Sequence, residues 1–139
     1  MGRAQIQLAR ERAKLVELDQ TIEKLDAEYK RAMEYVTNDQ EWIMESWPGL
    51  CRMRKSCQEL RQNPGSDAAE ELAELKAIIE STERFIEERK ASLRENYAWM
   101  EAVEEKQYKS ETARRKTAKR IQWLEEKLRR RDAQREGQP

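Results

Sequence analysis

From Leu8 to Cys57, every seventh residue of this chain is apolar or aromatic: Leu8, Leu15, Ile22, Tyr29, Val36, Ile43, Leu50 and Cys57. A second series begins at Leu72 and runs through Ile79, Ile86, Leu93 and Met100. It lapses at Gln107 and Arg114 and resumes at Ile121 and Leu128. The two series mirror each other about a point between Pro64 and Gly65, so that Cys57 answers Leu72, Leu50 answers Ile79, and Leu8 answers Ile121. A seven-residue apolar repeat makes a helix bury one stripe along a partner helix. A repeat mirrored about a Pro-Gly turn makes that partner the other half of the same chain. The expected fold is therefore all-α: a long antiparallel two-helix coiled-coil hairpin, occupying residues 1–139 as a single unit.

The turn and the arms follow from the same reading. Gln62-Asn63-Pro64-Gly65-Ser66 is the strongest turn signal in the chain. It places the first arm at about 3–61, the turn at 62–66 and the second arm at about 67–135. Ser66 or Asp67 can cap the second arm. The first arm has one weak stretch, where Asp39 and Ser46 occupy stripe positions beside Trp47-Pro48-Gly49. Proline removes a backbone donor and crowds the preceding turn. Two outcomes are open: a kink near Trp47-Pro48-Gly49 with the heptad phase retained, or a new helix capped by Ser46 with Pro48 in its first turn.

Composition agrees with a fold in which each helix buries only one stripe. Charged residues make up 40% and aromatic residues 6%, too little apolar material for a compact globule. Net charge is zero, but it is unevenly placed. Residues 1–16 carry four basic and one acidic side chain, and residues 106–135 carry twelve basic and four acidic. Residues 17–45 and 67–105 are strongly acidic. Folding as a hairpin collects the basic segments at the end holding both termini. There Arg114, Arg115, Lys119, Arg120, Arg129, Arg130 and Arg131 form a candidate partner-binding tip.

Two further candidate surfaces come from the stripes. Near the termini the first arm offers Leu8, Leu15, Leu18, Ile22 and Leu25, while the second offers Gln107, Ser110, Arg114 and Thr117. Either the leucines keep apolar surface for another helix, including one from a second copy, or a register shift brings in Tyr108, Ala113 and Ala118. The tryptophans lie off the main stripe. They either shield the seam or anchor a partner, and Trp42, Trp47 and Phe85 form the candidate docking patch.

The sequence offers no catalytic constellation. Histidine is absent, the cysteines Cys51 and Cys57 have no metal-ligand or redox spacing, and the glycines form no phosphate loop. Neither a metal, nor a cofactor, nor enzymatic activity is expected. No apolar run approaches the length of a membrane span, so a cytoplasmic protein without membrane insertion is expected. The basic run of the second arm suits nucleic acid poorly, since it surrounds the helix and has only Trp123 interleaved.

Four segments of the second arm carry a family resemblance: Ala98-Trp99-Met100, Glu104-Glu105-Lys106-Gln107, Ala113-Arg114-Arg115-Lys116 and Trp123-Leu124-Glu125-Glu126. In these and in its length the chain resembles the stalk proteins of type III secretion and flagellar export, the FliJ/YscO family. The resemblance covers about the last third of the chain by residue type. It implies a stalk whose basic terminal coiled coil enters the pore of a hexameric export ATPase and whose other part meets a membrane export gate, through Trp42 and Trp47. The Pro48 break departs from an uninterrupted family arm. A structural coiled-coil spacer or tether is the alternative reading, and a basic-tip nucleic-acid binder is the third.

Overall fold

The computed structural model describes residues 2–137. Two α-helices, α1 (Arg3–Gln62) and α2 (Ala68–Glu136), pack against each other as a helical hairpin. Their bounds lie within a residue or so of the expected arms. Between them Ala68 N–H donates to the Gly65 carbonyl at 3.3 Å, and Glu71 N–H donates to the Asp67 carbonyl at 3.0 Å. Asp67 thus holds the N-cap position of α2, its carbonyl taking the first intrahelical bond. No glycine has positive φ.

Pro48 does not start a new helix. α1 runs unbroken through it, and the heptad phase is kept on both sides. Val36 and Cys57 are buried, and Leu50, two residues past the proline, is only 1% exposed. The reason is positional. Pro48 lies on the outer face of α1, one turn after the exposed Met44, so the carbonyl that loses its helical partner faces water. The seam on the opposite face is undisturbed.

The chain divides into two compact units, Met1–Lys30 with Glu101–Pro139, and Arg31–Met100. In the first, Ala4, Leu8, Ile121 and Leu124 form a buried cluster against which Leu15 and Leu128 pack. Leu8 and Ile121 are a mirror pair of the sequence, and here they share one core. In the second unit Ala32, Val36, Leu50, Cys57, Ala68 and Ile86 are buried. In each unit, cross-helix partners rise in number along α1 as they fall along α2, which is antiparallel pairing. Both cysteines are free thiols, Cys57 buried and Cys51 exposed.

Candidate protein-docking surfaces

In the unit that holds the termini, the polar stripe of α2 stays in the seam. Thr117 is buried and Gln107 and Ser110 are half-buried, while Tyr108 is exposed. Of the residues that a register shift would draw inward, Tyr108 stays out, while Ala113 and Ala118 are half-buried and the stripe residue Arg114 is exposed. Long polar side chains of α2 reach acids of α1. Gln107 Nε2 donates to Asp26 Oδ1 at 2.9 Å, Arg114 Nε donates to Asp19 Oδ1, and Arg120 Nη1 donates to Glu11 Oε1 at 3.3 Å. From the other arm Arg12 Nη2 donates to Glu125 Oε1 at 3.1 Å.

The hairpin covers the apolar stripe of α1 in part. Leu8 and Leu25 are buried within the hairpin, and Leu15, Leu18 and Ile22 are half-buried. Leu15, Leu18 and Ile22 thus keep part of their surface open. Nearby, the Tyr29 hydroxyl is held above its ordinary range, first by partial burial and then by the Glu104 carboxylate, which bonds the phenol and would repel its anion.

The same ion pairs reduce the basic tip. Of its seven candidate residues, Arg114 and Arg120 are engaged with Asp19 and Glu11. The other five, Arg115, Lys119, Arg129, Arg130 and Arg131, are exposed and have no ion pair among the described residues. Trp123 is also exposed, with the Lys127 ammonium 5.0 Å from its ring centre. An open groove runs past Trp123 and is lined by Gln7, Arg10, Glu11, Arg120 and Leu124. Glu11 Oε2 is buried there without a hydrogen-bond partner.

In the unit Arg31–Met100 the aromatic patch separates into two. Trp42 meets Phe85 edge-on at 5.8 Å, and the Arg89 guanidinium lies over both rings, at 5.6 and 5.1 Å. Trp47 is not part of this group. It is covered by Arg54 at 5.8 Å, which in turn pairs with Glu83 at 3.0 Å. Five residues of helix turn the side chain of Trp47 about 140° from that of Trp42, so the two stand on opposite flanks of the seam.

Between those flanks is a polar knot. Asp39 occupies a seam position and is 3% exposed. Its Oδ2 accepts from Ser92 Oγ at 2.8 Å and Asn96 Nδ2 at 2.9 Å, and its Oδ1 from Arg89 Nη1 at 3.4 Å. Three donors for one carboxyl is the satisfaction that burial of such a group requires. Asp39 reads in the sequence as a lapse in the stripe. Its partners were also within reach of the mirror rule, because Arg89 and Asn96 are the two polar stripe residues of α2 that bracket its mirror position.

Among the described residues no group of His, Cys, Asp or Glu side chains could hold a metal ion, and no helix is long and apolar enough to cross a membrane. Comparison with protein-family models, with curated proteins and with solved structures returned no match.

Proposed function

We propose that this chain is a non-enzymatic coiled-coil stalk or adaptor that docks an acidic protein surface through the basic segment of α2 in the unit holding its termini. The reading extends the resemblance to export stalks, whose partners are a hexameric ATPase and a membrane export gate. One observation carries it. Arg115, Lys119, Arg129, Arg130 and Arg131 are exposed on one helix and pair with no acid among the described residues, while Arg114 and Arg120 beside them are engaged within the hairpin. Uncompensated charge of one sign speeds encounter with an opposite surface and makes binding sensitive to salt.

The test is binding to, and stimulation of, a hexameric export ATPase from the organism that encodes the chain. Reversing the five unpaired basic residues to Glu should weaken binding by about tenfold or more and leave folding intact, because exposed substitutions cost little. Reversing Glu80 and Glu87 in the other unit is the control. If the unaltered chain neither binds nor stimulates the ATPase, the stalk reading fails. Tighter binding to duplex DNA than to any protein, falling steeply with salt, would replace it with nucleic-acid binding.

A further inference from the structure

The two flanks of the seam in the unit Arg31–Met100 differ in chemistry. On one flank polar groups dress the exposed rings: Gln40 Nε2 donates to the Tyr97 hydroxyl at 2.6 Å, and Arg54, which lies over Trp47, pairs with Glu83 at 3.0 Å. The other flank is aromatic. Tyr35 and Trp42 of α1 stand a heptad apart and meet Trp99 and Phe85 of α2, with ring centres 6.0 and 5.8 Å apart. These contacts leave the ridge half open: Tyr35 is 56%, Trp42 48% and Ile78 51% exposed. The ridge exposes on the order of 300 Å², from about 100 Å² per half-exposed large side chain, the size of the largest apolar patch of a typical monomer, which is often functional.

Gly49 continues this flank one heptad beyond Trp42. Glycine inside a helix destabilises it relative to alanine, and nothing in the chain requires glycine here. Its φ is not positive, and a Cβ added to it would meet only the Arg52 guanidinium, 4.0 Å away. Ile78, which stands at the same level on α2, does not fill the space. Gly49 is a notch in the aromatic flank with no occupant from its own chain.

The rows bordering the ridge are also unlike each other. On α1 the outer row reads Arg31, Asn38, Glu45, Arg52, and on α2 it reads Glu74, Ser81, Glu88, Glu95, all exposed. We propose that this flank is the interface between two copies of the chain, related by a two-fold axis along the hairpin, so that α1 of each copy lies on α2 of the other. Arg31 then lies nearest Glu95 of the second copy and Arg52 nearest its Glu74, while Gly49 receives its Ile78. A two-fold axis across the hairpin would instead set α1 on α1 and Arg31 against Arg52, which like charge opposes. The arrangement is isologous and gives four antiparallel neighbouring helices.

Sedimentation equilibrium of the full chain, from about 1 to about 100 µM, tests this, since interfaces of standard size reach at least micromolar affinity. A dimer is expected. Gly49→Arg should weaken dimerisation by about tenfold or more by overfilling the notch. It should leave the melting temperature at low concentration unchanged or higher, because arginine is the better helix former. Arg31→Glu with Arg52→Glu should also weaken the dimer, and adding Glu74→Arg and Glu95→Arg to the same chain should restore it. A monomer across the whole range, a dimer indifferent to Gly49→Arg, or failure of the charge exchange to restore association would each overturn the proposal.

Discussion

Asp39 and Arg114 both occupy seam positions that a coiled coil ordinarily fills with an apolar residue, and the two units treat them in opposite ways. Asp39 is short. Its carboxyl cannot leave the seam, so Ser92 and Asn96 come to it from the seam and Arg89 from its partly exposed edge. Arg114 is long. Its guanidinium meets Asp19 at the surface, where side chains of both partners are about half exposed. Side-chain reach thus decides whether a polar lapse becomes an internal knot or a surface ion pair. The energetics differ accordingly. A buried acid with three donors is costly to disturb from one side, whereas an exposed pair contributes little and is screened by salt.

The largest expected effect sharpens the contrast between the cores around these residues. Leu50 is 1% exposed, and Leu50→Ala should lower stability by about 3 kcal/mol, the usual cost of a buried leucine replaced by alanine. Leu18, half-buried above the polar stripe, should lose only about 1 kcal/mol on the same change, because much of its surface already meets water. Denaturant titration of both variants gives the comparison. Equal losses would mean that the stripe of the terminal unit is packed as tightly as the core around Leu50.

Next in size is the knot. Asp39→Ala should cost about 2 kcal/mol, less than for a fully buried pair because Arg89 can turn to solvent. Combining Asp39→Leu with Arg89→Leu and Asn96→Leu should recover most of the loss, since replacing a donor and acceptor together leaves no orphaned group. Thermal unfolding of the single and triple variants separates the outcomes. A triple variant no more stable than Asp39→Ala would show that the polar group is not the source of the cost.

Much of this was legible in the heptads. The fold, the turn and the mirror pairing of Leu8 with Ile121 follow from the spacing of apolar residues alone, because a seam has only one repeat to obey. Pro48 was not legible in the same way. Its effect depends on which face of α1 it occupies, and only the retained phase of Ile43, Leu50 and Cys57 pointed to passage without a break. The surfaces were hardest to read. Periodicity marks Gln107, Arg114 and Thr117 as polar but does not say that two of them reach Asp26 and Asp19, nor that Leu8 and Leu25 are buried while Leu15, Leu18 and Ile22 are covered only in part. Trp42 and Trp47 are neighbours in sequence, but their angular separation on the helix puts them on different flanks.

The smallest expected effect tests the ion pairs that close the terminal unit. Arg114 and Asp19 are each about half exposed, so their coupling should be about 0.5 kcal/mol in low salt by a double-mutant cycle with Arg114→Gln and Asp19→Asn. At about 1 M salt, where the screening length falls to roughly 3 Å, the coupling should nearly vanish. The equivalent cycle on Asp39 and Arg89 should retain most of its coupling under the same salt, because the Asp39 carboxyl is enclosed by the seam and ions do not reach it. Equal salt sensitivity of the two cycles would remove the distinction between an internal knot and a surface pair. A coupling at Arg114 that survives salt would mean that its guanidinium is held in the seam, and that the polar stripe of α2 specifies register as Asp39 does.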